Sequence, residues 1–517
     1  MTTKTSSPRV LVTICTMAAT IMQALDTTIA NVALPYMQGS LSASLDQINW
    51  VLTSYIVAAA IMTAPIGWLS ERFGRKKLFI VCAAGFTVAS VLCALAQNIG
   101  QMVGFRLLQG MFGAALVPLS QAVMLDSYPP EERGQAMAIW GMGVMLAPIM
   151  GPTLGAWLTD NYSWHWVFLI NLPIGIGIGI GIGIVTVIGL ILFIDESDQK
   201  KEMRFDWFGF IALAVGIGSL QLMLDRGEQV GWFESNEIIA ETIVSVSGFY
   251  FFLAHSLTTA KPFIRFALFK DRNFVVSCLF MVVIGIVLFG TMALVTPFMQ
   301  HVIGYPILTA GYLLAGRGIG TLIAMLMVGR LLKMVEARYL VLIGLCLSAF
   351  TLNWMSGFTE MVSSQTLVTS SIVQGFGIGL VFVPLSAVAF TTLPAYLRTD
   401  GASILTLVRN IGSSIGISVV IAQLTSTTIR MHAHLAEYVT PFNNALQMPD
   451  VAAALPMNTQ TGQAMMEQIV TQQATVIAYA NDFKLLMYLT IVVLPLVFAI
   501  GTTRMPSSSA KPAMAID

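Results

Sequence analysis

The feature that most constrains the fold of this chain is a succession of apolar stretches, each close to the length of about 20 residues that crosses a bilayer as a helix. Of the 517 residues, 56% are hydrophobic and only 10% are charged. This composition excludes a soluble globular domain, so we predict an all-α polytopic membrane protein. The fourteen predicted transmembrane helices are 10–33, 49–69, 78–96, 101–125, 136–158, 166–194, 207–224, 237–255, 274–298, 307–330, 339–356, 365–392, 402–425 and 483–503.

The distribution of Lys and Arg predicts the orientation of these helices. If alternate loops face the same side, 20 of the 26 basic residues lie on one side of the membrane. Cytosolic loops of membrane proteins carry the excess of basic residues, so both termini are predicted to be cytosolic. The formal net charge of zero leaves no basic surface that would favour nucleic acid.

An internal repeat divides the chain into two halves. The fourth predicted helix contains Gln109-Gly110 and Pro118-Leu119-Ser120, and the twelfth contains Gln374-Gly375 and Pro384-Leu385-Ser386, a little over 260 residues later. Two parallel halves with a site between them near the midplane are a recurring transporter design. We therefore predict three regions: a six-helix bundle over 1–194, two inserted helices with linkers over 195–273, and a six-helix bundle with an outer loop at 426–482 over 274–517.

A carboxylate in the first predicted helix is the strongest candidate for a functional group. Among the 26 acidic residues, Asp26 alone lies deep inside a predicted span. An ionisable side chain at that depth costs several kcal/mol unless it is paired or hydrated, so it indicates function. With a rise of 1.5 Å per residue, Asp26 and Arg106 both lie about 10 Å below the outer surface and can face each other. The alternative is a static ion pair between two helices, with Thr27, Thr28 and Asn31 satisfying the carboxylate.

Other polar residues inside predicted helices are candidates to line a substrate cavity. Arg317 and Arg409 have no carboxylate at membrane depth in their half of the sequence. They therefore either donate to backbone carbonyls or line an aqueous cavity that favours anionic substrates. The candidates for the cavity are Asn31, Gln109, Arg317, Gln374 and Arg409.

Several segments resemble motifs of one transporter family. Residues 67–77 resemble the signature between helices two and three of the major facilitator superfamily, with Glu71 where aspartate is usual. Residues 105–110 resemble its fourth-helix motif, and 147–155 resemble the fifth-helix motif typical of antiporters. The segments that narrow the resemblance to the fourteen-helix, EmrB/QacA-like drug:proton antiporters, and within them to EmrB-type pumps, are 25–35, 164–175, 268–274 and 218–227.

The resemblance implies roles for individual residues. It implies proton coupling at Asp26 and Arg106. It also implies a cytosolic latch in which Glu71 and nearby basic residues pair with helix ends when the pump opens outward, although topology alone could explain such a charged loop. In the fifth helix it implies a tight, proton-excluding contact with the other half, where ordinary close packing is the alternative. The residues expected to control gating are Gly67, Glu71, Arg72, Gly74, Arg75, Pro148, Gly151, Pro152 and Gly155.

The function that follows is the export of hydrophobic or amphipathic toxic compounds across a bacterial inner membrane. No G-x-x-x-x-G-K-[ST] motif occurs, so we expect a proton gradient rather than ATP as the energy source, with no cofactor or metal and no enzyme activity. The resemblance implies an EmrA-like periplasmic adaptor, docked on loop 426–482, and a TolC-like outer-membrane channel. The alternatives are a proton-coupled importer or symporter for a metabolite, and a membrane sensor that binds ligand without transporting it.

Overall fold

The computed structural model describes residues 9–171, 182–194, 205–259, 262–440 and 455–501, together with most of 442–451. These residues form helices and connecting turns, and the described part contains no strand. The α-helices are α1 (Arg9–Ser40), α2 (Leu45–Thr63), α3 (Ile66–Phe73), α4 (Arg75–Ala94), α5 (Ile99–Gly113), α6 (Leu116–Ser127), α7 (Arg133–Asn161), α8 (His165–Leu169), α9 (Ile182–Phe193), α10 (Trp207–Arg226), α11 (Asn236–Thr258), α12 (Arg272–Pro297), α13 (Ile307–Leu331), α14 (Ala337–Met355), α15 (Ser364–Val388), α16 (Arg398–Ala436) and α17 (Gln460–Val493).

The helices agree with the predicted all-α membrane fold. Within the described residues, twelve helical segments are long and apolar enough to cross a membrane, and α2 with α3 forms a thirteenth that is bent by 60°. The predicted sixth span, 166–194, runs through residues 172–181, which lie outside the described residues, and α9 forms its far end. The structure is therefore consistent with fourteen spans.

Polar capping residues set where several helices begin. Ser44 and Gln47 form a reciprocal capping box at the start of α2, and the Asn98 side chain accepts from the Gln101 backbone N–H at the start of α5. Such caps satisfy backbone donors that would otherwise lack a partner at a helix N-terminus. Gly74 joins α3 directly to α4 at a φ of +89°, which an L side chain rarely adopts.

The two halves meet along two seams. At one seam α7 of the first half packs against α13 of the second, and at the other α16 packs against α2, α3 and α6. Trp140 of α7 stacks on Phe382 of α15 with ring centroids 6.0 Å apart, inside the largest hydrophobic core. The inserted helices α10 and α11 pack on each other, and α10 also contacts α2 and α16. The insertion therefore lies beside the second seam.

The predicted outer loop 426–482 is largely helical. Helix α16 continues to Ala436 and α17 already begins at Gln460, so most of this segment is a helical hairpin. His432 of α16 and Glu467 of α17 lie 2.8 Å apart and join its two arms. Hydropathy marks where a helix leaves the membrane, but hydrogen bonding along the backbone continues beyond that point.

Asp482 corrects a second expectation. It lies inside α17 with its side chain fully buried, and neither carboxylate oxygen has a hydrogen-bond partner within the described residues. Asp26 is therefore not alone as a carboxylate buried in a transmembrane helix. The second half also contains a buried acid, contrary to the prediction, because the helix that carries Asp482 begins well before the apolar run that defined the last span.

Candidate functional site

Asp26 lies at the centre of a buried polar network between α1 and α5. Arg106 Nη1 donates to Asp26 Oδ2 at 2.7 Å, and Gln109 Nε2 donates to Asp26 Oδ1 at 2.9 Å. Arg106 Nη1 also donates to Gln109 Oε1 at 2.8 Å, which closes a three-residue ring. Each of these side chains is at most 1% exposed. Both carboxylate oxygens are thus satisfied by side chains in a site that excludes water.

Helices α2 and α8 hold the guanidinium of Arg106 from the other sides. Arg106 Nε donates to the Val51 carbonyl at 3.0 Å. The Tyr55 ring lies 4.3 Å from the guanidinium carbon and the Phe168 ring lies 5.6 Å from it, both in cation–π range. The arginine therefore has partners that do not depend on the charge of Asp26.

The neighbours of Asp26 along α1 do not satisfy its carboxylate. The Thr27 and Thr28 hydroxyls donate to the Ala24 and Leu25 carbonyls of their own helix. Asn31 is exposed and takes no part in the network. The static arrangement expected from sequence, with Thr27, Thr28 and Asn31 around the carboxylate, is wrong, because hydroxyls in a helix bond readily to carbonyls one turn back.

The second half repeats this arrangement with a neutral residue in place of the acid. Gln374 Nε2 donates to Thr291 Oγ1 at 3.1 Å, and Gln374 Oε1 accepts from Arg317. Thr291 follows Asp26 by 265 residues, the same offset as between Gln109 and Gln374. All three side chains of this second cluster are at most 2% exposed. The two halves thus share a polar cluster, but only the first has a carboxylate in it.

Arg317 and Arg409 of the second half are buried without a carboxylate among their described contacts. Nε and Nη1 of Arg317 have no hydrogen-bond partner in the described residues, and neither does Nε of Arg409. Arg409 Nη2 donates to the neighbouring Asn410 at 3.5 Å. The sequence left two alternatives for these arginines, donation to backbone carbonyls or lining of an aqueous cavity. In the described residues, backbone carbonyls are not their main partners.

At one end of the bundle, charged residues of both halves and of the insertion meet. This charged end comprises the α3–α4 turn, the α6–α7 turn, the linker after α11 and the start of α16. Arg265 of the linker forms an ion pair with Glu71 of α3, and its Nε lies 3.4 Å from Asp400 Oδ2 of α16. Burial acts to lower the pKa of Arg265, but the hydrogen bond to Glu71 and the charge of Asp400 leave that pKa raised.

Gly67 allows α3 to approach α16 closely at this end. A β-carbon on Gly67 would lie 1.6 Å from Asp400 Oδ1, so no larger residue can take its place without movement. Asp126 at the end of α6 forms ion pairs with Arg75 of α4 and, at 2.5 Å, with Arg398 of α16. Arg72 lies half-buried in the last turn of α3. The charged end is therefore closed by contacts between the two halves.

Comparison with known proteins identifies the family. The sequence profile of the Major Facilitator Superfamily matches residues 16–417. The chain belongs to this superfamily. Its sequence is 36% identical to Multidrug export protein EmrB of Escherichia coli (strain K12) over 491 residues, covering 95% of this chain and 94% of that protein. It is 34% identical to Fatty acid resistance protein FarB of Neisseria gonorrhoeae, covering 93% and 94%. These similarities confirm the predicted superfamily and the EmrB-type group.

Solved structures confirm the fold alone. The human organic anion transporter MFSD10 matches with a TM-score of 0.57 at 13% identity, covering 93% of this chain and 99% of that chain. The proton:xylose symporter XylE matches with a TM-score of 0.56 at 13% identity, covering 95% and 96%. Both share the overall fold of this chain.

Residues 147–155 of α7, the segment that resembles the antiporter motif, do not pack against the other half as predicted. Helix α7 is continuous through Pro148 and Pro152. A β-carbon on Gly151 would lie 2.1 Å from Thr28 Oγ1, and one on Gly155 would lie 2.9 Å from the Ile29 carbonyl oxygen. Both glycines thus face α1 of the same half, and the predicted contact with the other half is wrong for them. Glycine spacing shows that a helix has a close neighbour but does not identify it.

The contact of α7 with the other half is made by different residues. A β-carbon on Gly311 of α13 would lie 2.5 Å from Thr153 Oγ1, and one on Gly329 would lie 3.4 Å from Gln135 Cα. Sequence reasoning also missed Tyr55, Thr291 and Arg265. The 265-residue offset could have identified Thr291, because it places that residue at the position of Asp26 in the repeat.

Proposed function

We propose that this chain is a proton-driven exporter of amphipathic toxic compounds in the bacterial cytoplasmic membrane, with both termini in the cytosol. Its relatives include proteins named for multidrug export and for fatty acid resistance. The excess of basic residues on one side supports this orientation, in which the charged end faces the cytosol.

The observation that carries the proposal is the buried ring of Asp26, Arg106 and Gln109. Removing one partner of a buried ion pair leaves the other charge uncompensated, so the ionised carboxylate holds α1 and α5 together. Protonation of Asp26 cancels this attraction. Arg106 keeps its bonds to Val51 and Gln109 and its contact with Tyr55. A proton can therefore release α1 from α5 without leaving the arginine unsupported.

A transport cycle follows from the release of α1 on protonation and from the closed charged end. The Asp126–Arg398 and Glu71–Arg265 pairs close the proposed cytosolic route. We therefore assign the structure to the state that follows closure of the cytosolic side. In the proposed cycle the drug binds from the cytosol while Asp26 is ionised. A periplasmic proton then neutralises Asp26 and lowers the affinity for the drug. Proton and drug thus shift the same conformational equilibrium in opposite directions.

Flux in proteoliposomes tests the export function. The purified full chain is reconstituted, a pH gradient is imposed, and movement of ethidium and of dodecanoate is followed. Wild type should move at least one of them uphill against the proton flux, and Asp26→Asn should not. The matched control is Asp160→Asn, because Asp160 is an exposed carboxylate that bonds Tyr36 of α1 but lies outside the network.

The same measurement separates the alternatives. Substrate and protons moving in the same direction would show a symporter. Saturable ligand binding without any flux would show a sensor. Either outcome contradicts export by antiport.

We also propose that the helical hairpin of α16 and α17 docks a periplasmic, EmrA-like adaptor that leads to a TolC-like channel. Under the proposed orientation the hairpin extends on the periplasmic side. Between its helices Phe442 is 89% exposed and Met448 is 57% exposed, so large apolar side chains face solvent there.

Co-purification with a co-expressed EmrA-like adaptor tests this docking. Phe442→Asp should reduce recovery of the adaptor. Met334→Asp should not, because Met334 is similarly exposed, at 82%, but lies after α13 at the charged end. Equal recovery with both variants contradicts docking on the hairpin.

A further inference from the structure

A cavity beside the second seam has the features of a ligand site. Its volume is about 290 Å³, and its walls come from α2 of the first half, α16 of the second half, and the inserted α10 with the turn that follows it. This size is at the lower end of the range of small-molecule sites. Its aliphatic wall is formed by Leu52, Ile56, Leu224, Ile417 and Ile421.

The polar groups of this cavity are acidic or neutral. Asp225 and Glu228 line it, and none of the described residues in its lining is a Lys or an Arg. Asp225 accepts a hydrogen bond from Thr53. The adjacent Arg226 forms its ion pair with Glu237 and lies over the Trp50 ring at 5.6 Å. Its guanidinium therefore lies outside the cavity lining, and its charge acts on Asp225 only from a distance.

An unpartnered hydroxyl in the same cavity points to a missing ligand. Ser418 lines the cavity and is only 6% exposed, yet its Oγ has no hydrogen-bond partner within the described residues. Buried hydroxyls are normally satisfied, so this one calls for a partner. The neighbouring Ser414, by contrast, donates to Gln221 Oε1 at 2.9 Å.

The cavity adjoins a more open groove that has the same charge character. Glu228 lines both, and the groove adds Glu234 and the Trp232 ring. The described part of its lining again contains no Lys or Arg. Trp232 Nε1 donates to Glu228 at 2.9 Å, which fixes the indole beside the carboxylate. An indole face flanked by acids attracts organic cations.

We propose that this lateral cavity binds a small amphipathic cation, whose charge lies at Asp225 and whose apolar part lies on the aliphatic wall. The inference deepens the proposed export function and rests on it, since it assigns a substrate class and a binding site beside the inserted helices, at the end of the bundle opposite the charged end. Because both halves line the cavity, occupancy depends on their relative position. The proposed site lies away from Asp26. It lies beside the two inserted helices, α10 and α11, which bring the predicted number of transmembrane helices from twelve to fourteen.

Equilibrium binding to the purified full chain, without a proton gradient, tests this site. The probe is benzyltrimethylammonium, followed by calorimetry and by Trp fluorescence, with benzenesulfonate as the anionic comparison. Wild type should bind the cation saturably and the anion not at all. Asp225→Asn should weaken binding of the cation by at least about tenfold, because it removes the charge that a desolvated cation requires.

Two further variants keep the test decisive. Ser418→Met fills the cavity without touching an acid and should also abolish binding, so a folding defect of one variant does not decide the result. Asp160→Asn, which removes an exposed carboxylate outside the cavity, should bind the cation like wild type. Binding is measured without a gradient, so cation binding by a chain that moves no substrate uphill would contradict export and leave the lateral site in place. Absence of binding to wild type, equal binding by Asp225→Asn, or an equal loss of binding in Asp160→Asn would each overturn the lateral site.

Discussion

Replacing Asp126 with asparagine should shift the protein toward states in which the charged end is open. Asp126 pairs with Arg75 and Arg398, but only the Arg398 pair joins the two halves, because Arg75 and Asp126 both belong to the first half. Of the two ion pairs of Asp126, opening therefore breaks one. The side chains of Asp126 and Arg398 are 33% and 12% exposed, so solvent screens this pair in part. We expect a loss of about 1 kcal/mol, or about fivefold in the closed-to-open ratio.

Pulsed electron spin resonance can measure this ratio from the distance between two spin labels. Phe73→Cys in the first half and Met334→Cys in the second carry the labels at the charged end, with the exposed Cys346 replaced by Ser. Glu132→Gln is the matched control, because the Arg9–Glu132 pair of 3.4 Å lies within the first half. It should leave the distance distribution unchanged. An unchanged distribution in Asp126→Asn, or an equal shift in Glu132→Gln, refutes the reasoning.

Two predictions concern stability, measured as the Tm of detergent-purified protein. Gly375→Ala should destabilise the fold by about 2 kcal/mol or more, since its β-carbon would lie 2.0 Å from the Arg317 carbonyl oxygen, whereas Gly39→Ala, with open space around it, should be nearly neutral. A larger loss in Gly39→Ala would contradict this packing. Asp482→Asn should raise the Tm, because an unpartnered buried carboxylate costs a few kcal/mol, while Glu467→Gln at the exposed end of the same helix should not. A lower Tm in Asp482→Asn would show that the acid has a stabilising partner.

The sequence predicted those features that depend on one helix at a time. Apolar length located the spans, and depth along two helices brought Asp26 and Arg106 to the same level. The hydrogen bond from Gln109 to Asp26 was not foreseen, because periodicity gives the face of a helix but not the rotamer that bridges to a neighbour. Arg265 was missed for a related reason. Nothing in a linker sequence shows which helix ends it will contact.

The errors have the same origin. Gly151 and Gly155 were expected at the contact with the other half, yet they pack on α1, because a glycine stripe permits close approach by whichever helix the tertiary fold supplies. The apolar run that predicts the last span begins at 483, whereas α17 begins at Gln460, because polar residues within 460–482 lower the hydropathy without interrupting the helix. Burial of Asp482 follows from that continuation.

Proton release on drug binding tests the role of Asp26 most directly. Ethidium, or dodecanoate if that is the compound transported, is added to weakly buffered, detergent-purified protein while a pH indicator is read. If Asp26 carries the coupled proton, wild type should release protons in proportion to bound drug, and Asp26→Asn should bind the drug without releasing any. Equal proton release by Asp26→Asn would contradict the assignment and would move the coupled proton to another residue.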